Sequence, residues 1–153
     1  TGKGTSRRPD TDYFLKAMLT REFNFRVWYK DTDQMGVVHH SNYICYYEAA
    51  RSELMRSLGV SWADIEREER VMMPILEVHS RYLRPAHYDE LITVRITLRE
   101  PPMARITFDY EVFNEARELL NTGTTVLGFI HSDNRKPCRA PRKFMELLQT
   151  SPE

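Results

Sequence analysis

The segment from Tyr29 to Tyr43 holds the side chains best suited to chemistry. It reads YKDTDQMGVVHHSNY and brings together two carboxylates, two imidazoles, a glycine and two phenols. It lies between a predicted strand and a predicted helix, and the first N–H groups of a helix have no partner within that helix. A carboxylate beside such N–H groups is suited to attack on a carbonyl carbon, because the amides stabilise the oxygen that becomes negative.

The two carboxylates also have an ordinary structural interpretation. An aspartate in a loop before a helix commonly binds nearby N–H groups and shapes a turn, and both Asp31 and Asp33 are open to that interpretation. The adjacent glycine and imidazoles favour a functional role for Asp33, whereas Asp31 is expected to be structural. Adjacent side chains seldom face the same way, so only one of His39 and His40 is expected to reach Asp33.

A strand and a long helix are predicted to hold this segment in place. Apolar and polar residues alternate over most of residues 23–29, which is typical of a strand. From Ser41 to Leu58 the apolar residues follow helical spacing, with Ser41 or Asn42 as the expected N-cap. Gly59 then occupies the position of a left-handed residue that ends a helix.

The rest of the chain predicts a sheet and several short helices. The expected strands cover residues 76–82, 92–98, 106–112 and 119–131, and the expected short helices cover residues 12–20, 61–67 and 142–148. A long helix with one apolar face requires a sheet to cover it. We therefore predict an α+β fold in which a curved antiparallel five-stranded sheet wraps a long central helix.

The composition predicts one globular domain and argues against several functions. The 22 basic and 22 acidic residues give no net charge, so nothing draws the whole molecule toward nucleic acid or an anionic membrane. No apolar run approaches the ~20 residues of a membrane span, and no apolar segment follows Arg7-Arg8 to make an export signal. We predict a mobile tail at residues 1–12, one domain at residues 13–150, and a cytoplasmic location with Cys45 and Cys138 as reduced thiols.

A longer pattern in the same segment points to a family. The run YxDTDxxGVVxHxxY, followed by Glu48-Ala-Ala-Arg51, resembles the hotdog-fold acyl-CoA thioesterases. It is most similar to the branch that includes 4-hydroxybenzoyl-CoA thioesterase and the Tol-Pal-associated acyl-CoA thioesterase. The resemblance covers about residues 21–149. It implies a hotdog fold and hydrolysis of an acyl-CoA thioester to an acid and coenzyme A, with no metal or redox cofactor.

The resemblance also implies roles for individual residues. Asp33 corresponds to the catalytic carboxylate, which acts as a nucleophile or as a general base on water. His40 corresponds to the residue that polarises the thioester or orients the attacking water, and Tyr29 to a supporting hydrogen-bonding position. The amides that polarise the carbonyl oxygen would come from the helix start and from the backbone of Gly36, Val37 and Val38.

Assembly and coenzyme A binding are implied in the same way. Family members are homodimers or homotetramers whose active sites lie between subunits, with coenzyme A crossing the interface. The basic segment formed by Arg135, Lys136 and Arg139 corresponds to a region that often contacts the nucleotide end of coenzyme A. A solvated charged face is the ordinary interpretation of such a cluster.

The sequence also contains candidates for other sites and functions. Glu48 is a second candidate carboxylate, but an ion pair with Arg51 on the next helical turn is the simpler expectation. A metal site of Asp33, His39, His40 and His87 has no recognised ligand spacing. Hydratases of the same fold place a histidine where this chain has Val38. A non-catalytic module that binds acyl thioesters or acyl carrier protein is the second function considered.

Overall fold

The computed structural model describes residues 18–150 of the chain. It contains a five-stranded antiparallel sheet, a two-stranded ribbon, one long helix and two short helices. In chain order the elements are β1 (Leu19–Arg26), a 3-10 turn (Tyr29–Asp31), α1 (Asn42–Ser57), α2 (Trp62–Glu69), β2 (Val71–Met72), β3 (Ile75–Tyr82), β4 (Leu91–Leu98), β5 (Arg105–Phe113), β6 (Leu119–Gly128), β7 (Ile130–His131) and α3 (Arg142–Thr150).

The sheet has the strand order β1-β4-β5-β6-β3, and every neighbouring pair is antiparallel. β3 therefore lies at one edge, although the strand that follows it in sequence, β4, lies beside the opposite edge. The connecting residues 83–90 cross the end of the sheet and reach the loop before α1, where the N–H of Val38 donates to the carbonyl of Ala86 at 2.9 Å. This crossing brings the end of β3 close to the predicted site.

The core lies between α1 and one face of the sheet. β4 buries every second residue, and the buried residues of β5 follow the same period, as expected for strands with one covered face. The helix covers that face with Tyr43, Tyr47, Ala50 and Leu54, all of which are buried. At Gly123 on β6 the packing is so close that a Cβ would collide with the Tyr47 ring. Each fully buried large apolar side chain contributes roughly 1.5–3 kcal/mol.

Most of the predicted elements are confirmed. The long helix differs from its predicted bounds by one residue at each end, and Gly59 has the predicted left-handed conformation, with φ of +86°. The predicted α+β arrangement with a five-stranded antiparallel sheet is also confirmed. The predicted tail and residues 12–17 of the predicted first helix lie outside the described residues.

Three local predictions are wrong. Leu19 and Thr20 belong to β1 and are not helical, and Tyr29 leaves the strand for a 3-10 turn. The last predicted strand is divided, because β6 ends at Gly128, and after Phe129 the two residues of β7, Ile130 and His131, pair with β2. Pro74 explains the division: proline has no N–H to donate to a ladder, so pairing stops there and resumes on a different strand.

Candidate active site

The loop before α1 is anchored by Asp31. This side chain is buried, and its Oδ2 accepts hydrogen bonds from the Trp28 N–H at 3.1 Å and the Tyr46 hydroxyl at 3.2 Å. Burial raises the pKa of the Tyr46 phenol, and the neighbouring Asp31 charge raises it further. Tyr46 therefore remains a hydrogen-bond donor at neutral pH.

The backbone of Asp31 ties the loop to the helix start. Its carbonyl accepts from the His39 N–H at 2.9 Å and from Nδ2 of Asn42 at 2.7 Å. Ser41 is the N-cap residue of α1, as predicted, but its side chain makes no capping hydrogen bond. Its backbone is helical, and its hydroxyl binds Nδ1 of His39 at 2.7 Å.

Asp33 shapes a tight turn with one carboxylate oxygen. Its Oδ1 accepts from the N–H of Met35 at 2.8 Å and, more weakly, from the N–H of Val37 at 3.4 Å. Gly36 makes the turn possible, because its φ of +77° is costly for residues with a side chain. The second oxygen, Oδ2, has no hydrogen bond within residues 18–150. The structural interpretation of Asp33 is therefore correct for one oxygen and leaves the other available.

A groove of about 360 Å³ opens beside Asp33. The loop and helix contribute Asp33, Val38, His40 and Tyr43 to its lining, and the segment after β3 contributes its other wall. The hydroxyl of Tyr82, the last residue of β3, donates to the carbonyl of His40 at 2.9 Å. The Tyr82 ring meets the His40 ring edge-on, with centroids 6.3 Å apart. Asp33 and His40 thus share one groove, while His39 turns to Ser41.

The predicted oxyanion amides are already engaged. The N–H of Gly36 donates to the Asp33 carbonyl at 3.0 Å, that of Val37 faces Oδ1 of Asp33, and that of Val38 donates to Ala86. These amides hold the turn and the crossing segment, so they are not free to bind a substrate oxygen in this conformation. The His40 N–H, by contrast, makes no hydrogen bond in the described part of the chain. Sequence spacing could not distinguish these amides, because turn geometry decides which ones are bonded.

Tyr29 and the basic segment lie away from this groove. Tyr29 is exposed and packs edge-on against Tyr88, with ring centroids 5.7 Å apart. Arg135, Lys136 and Arg139 are exposed in the loop after β7, near the end of β3 that begins at Ile75. The groove lies near the other end of β3, and an eight-residue strand spans roughly 23 Å. Within one protomer, the structure does not bring these residues to Asp33.

The second candidate carboxylate, Glu48, is exposed on α1. The predicted ion pair with Arg51 is absent among residues 18–150, because Arg51 is buried and donates from Nη1 to the Tyr110 hydroxyl at 3.0 Å. Tyr110 lies on β5 and is remote in sequence, so the helical spacing of Glu48 and Arg51 could not predict the hydrogen bond between Arg51 and Tyr110. The part of the chain described contains no cluster of His, Cys, Asp and Glu side chains arranged to hold a metal ion.

Sequence reasoning missed the contacts that hold the site together. Asn42 and Tyr46 lie one helical turn apart, and both bind Asp31. Their spacing was the available sign that one face of the helix start meets the loop. The hydrogen bond from Tyr82 to the His40 carbonyl requires the crossing connection after β3, which no local pattern in the sequence indicates.

Comparison with known proteins identifies the family. Residues 27–148 match the thioesterase-like superfamily. The chain is 30% identical over 131 residues to the acyl-CoA thioesterase YbgC of Helicobacter pylori, a match that covers 80% of this chain and 96% of the relative. It is 28% identical over 120 residues to the acyl-CoA thioester hydrolase YbgC of Escherichia coli O157:H7, covering 78% of this chain and 89% of that protein.

A solved structure agrees with this assignment. The DHNA-CoA thioesterase of Staphylococcus aureus superposes with a TM-score of 0.79 and 32% identity, covering 85% of this chain and 89% of that chain. The predicted resemblance to hotdog-fold thioesterases is confirmed. With the matched region spanning most of its length, the chain belongs to the thioesterase-like superfamily.

Proposed function

We propose that this protein is an acyl-CoA thioesterase that hydrolyses a thioester to a free acid and coenzyme A. The observation that carries the proposal is the state of Asp33, whose Oδ2 is unbonded at a groove shared with His40. The names of the relatives support the same reaction. No described helix is both long and apolar enough to cross a membrane. The two free cysteines support a reducing, cytoplasmic location.

Asp33 supplies the carboxylate that takes part in the reaction. As a general base it would take a proton from water as the water oxygen attacks the thioester carbonyl, and the C–S bond would then break to release the coenzyme A thiolate. As a nucleophile its Oδ2 would attack the thioester carbonyl, and the C–S bond would break to release the coenzyme A thiolate and leave a mixed anhydride, which water hydrolyses to the free acid and the Asp33 carboxylate. The bonds from Met35 and Val37 fix Oδ1 in either case. The carboxylate is thereby oriented before substrate binds.

We assign to the His40 N–H and the start of α1 the role of stabilising the oxyanion that develops on the thioester oxygen. The helix start carries roughly half a positive charge, and one donor to an oxyanion contributes about 3–4 kcal/mol to the transition state. The His40 imidazole would orient the water or polarise the thioester, as the family resemblance implies. Tyr29, which does not line the groove within one protomer, is assigned the supporting hydrogen-bonding role that the family resemblance implies. Gly36 and Val37 act by maintaining the turn, and Val38 by holding the crossing segment.

A homodimer or homotetramer would complete the site. β3 is a free edge of the sheet within each protomer, and Ile75, Leu76, Tyr82 and Leu83 are exposed along it and just after it. An exposed apolar edge favours pairing with another strand. Antiparallel pairing of two β3 strands would place the Ile75 end of one copy beside the groove of the other. The basic segment of one copy, Arg135, Lys136 and Arg139, would then lie where coenzyme A leaves the groove.

Thiol release from a panel of short, long and aromatic acyl-CoA substrates tests the proposal. We expect release by the wild type and a loss of at least roughly a thousandfold in kcat for Asp33→Asn. The asparagine oxygen can still accept from Met35 and Val37, so the turn should persist. Asp133→Asn is the control, because Asp133 is an exposed aspartate paired with Arg70. Coenzyme A binding without thiol release from any substrate would favour the non-catalytic binding module instead.

A further inference from the structure

A second cavity lies between α1, α2 and the first residue of β3. Its volume is about 400 Å³, which is within the size range of small-molecule sites. Trp62, Ile65, Met73 and Leu127 give it apolar walls. The guanidinium side chain of Arg51 also lines it.

Arg51 is buried without an anion. Only 6% of the residue is exposed, and the one hydrogen bond of its side chain among residues 18–150 is from Nη1 to the Tyr110 hydroxyl. Burial raises the pKa of that phenol, so Tyr110 is a neutral acceptor. The Tyr110 oxygen is shared with the Thr125 hydroxyl, 2.6 Å away. A guanidinium has five N–H donors, so most of its binding capacity is unused.

This arrangement leaves the charge without a counter-ion, whereas a buried charge normally pairs with an opposite charge. The other guanidinium nitrogens of Arg51 are not among the fully enclosed unbonded atoms of residues 18–150, so they reach the solvent-accessible space of the cavity. Glu48 and Glu66 also line the cavity, but both are exposed, and neither is within ion-pairing distance of Arg51 in the described region. An apolar side chain would fill the same space without introducing a charge. The unpaired cation therefore indicates an acidic ligand group beside Arg51 in the cavity.

We propose that this cavity binds the far end of the acyl group and that Arg51 selects acyl groups ending in a carboxylate. The inference rests on the proposed thioesterase function. Arg51 lies about 13 Å along α1 from its first residue, at ~1.5 Å per residue. The groove at the start of α1 and the cavity at Arg51 lie along the same helix of one protomer. The thioester carbon would thus lie at the start of α1 and the acyl terminus at Arg51 of the same copy.

Matched substrates of equal chain length test this directly. Adipyl-CoA is compared with hexanoyl-CoA, and suberyl-CoA with octanoyl-CoA, so that only the terminal group differs within each pair. We expect the wild type to show at least about tenfold higher kcat/KM for the carboxylate-ended member of at least one pair. Arg51→Met should remove that preference and leave hydrolysis of the methyl-ended substrates largely unchanged. Arg56→Met is the control, because Arg56 is exposed on the same helix.

Trp62 provides a readout that does not depend on hydrolysis. It lines the cavity, and Trp28→Phe leaves it as the one tryptophan of the chain. In that background, octanoate should change the Trp62 fluorescence more strongly than 1-octanol at equal concentration. Arg51→Met should weaken octanoate binding at least about tenfold and leave the 1-octanol response unchanged. Arg51→Lys retains the charge without the planar guanidinium and should retain part of the preference.

The outcomes separate the two proposals. Equal hydrolysis of both members of each pair by the wild type would overturn the selection by Arg51, whatever the variants do. Octanoate binding through Arg51 without hydrolysis of any thioester would contradict the hydrolase and retain the carboxylate site. Arg51→Met should also unfold at the wild-type temperature or above it. A large fall in that temperature would show that the guanidinium acts as a structural group and would overturn the proposal.

Discussion

Asp31 and Asp33 carry the same carboxylate two residues apart, and the fold uses them in opposite ways. Asp31 is buried, and its Oδ2 accepts from a backbone N–H and a phenol. Asp33 bonds through Oδ1 and has an unbonded Oδ2 at a groove. The other oxygen of Asp31, Oδ1, lies 3.7 Å from Nζ of Lys30. A buried carboxylate that is engaged at both oxygens stabilises a loop, whereas one with a free oxygen at a groove is able to react. The comparison predicts that changes at Asp31 act on stability and changes at Asp33 act on turnover.

The largest effect on stability is expected at Asp31. Asp31→Asn places an amide where two donors converge, and we expect it to lower the free energy of unfolding by about 2–4 kcal/mol. Urea unfolding at neutral pH measures the change. Asp133→Asn serves as the exposed control and should stay within about 0.5 kcal/mol of the wild type. An unchanged Asp31→Asn would remove the distinction between the two carboxylates.

Alanine substitutions at two glycines distinguish the cost of backbone strain from an effect on turnover. Gly36 and Gly59 both have positive φ, of +77° and +86°, and a Cβ at either position would meet nothing within 4 Å. Alanine at each should therefore cost a similar amount, about 1–2 kcal/mol, from backbone conformation alone. Only Gly36→Ala should also reduce thiol release, because Gly36 lies in the turn that orients Asp33. Equal loss of turnover in Gly59→Ala would show that activity follows stability alone.

A smaller effect is expected when Asp31 loses its phenol donor. Tyr46→Phe removes one hydrogen bond to Oδ2 and should lower the free energy of unfolding by about 1 kcal/mol. A double-mutant cycle with Asp31→Asn should show coupling between the two residues. Tyr88→Phe is the control, since Tyr88 is exposed. Additive effects in the cycle would mean that the Tyr46–Asp31 bond does not contribute to loop stability.

The smallest effect is expected at Glu22, a carboxylate with several charged neighbours but little burial. Its hydrogen bond with Arg117 lowers its pKa, and Arg95 lowers it further. Its contribution is therefore present above its ordinary value of 4.5 and lost as the pH falls through the folded value. Because Glu22 is largely exposed, Glu22→Gln should cost less than about 0.5 kcal/mol at neutral pH. A cost equal to that of Asp31→Asn would show that burial is not the deciding difference.

The sequence predicted those parts of the fold that depend on local patterns. The spacing of Tyr43, Tyr47, Ala50 and Leu54 predicted the buried face of α1, and Gly59 predicted its end. Period-two alternation predicted β4 and β5 to within a residue or two at their ends. Each of these signals comes from residues that are neighbours along the chain.

The parts of the site that could not be predicted depend on distant contacts. The Val38 N–H is engaged because the crossing connection carries Ala86 to it. Arg51 makes no ion pair with Glu48, because its guanidinium is buried and donates to the hydroxyl of Tyr110 on β5. Such contacts decide whether an amide or a guanidinium has an unused N–H, so the spacing of residues in the sequence could not predict which donors of the loop are available.

The most direct test of the contrast measures stability and turnover on the same preparation of Asp33→Asn. We expect thermal unfolding close to that of the wild type and a kcat at least roughly a thousandfold lower, with coenzyme A still bound. Asp31→Asn should show the opposite pattern. Its stability should fall strongly, and its turnover should fall only in proportion to the fraction of protein that remains folded. Wild-type turnover by Asp33→Asn would contradict the assignment of the reacting oxygen to Asp33.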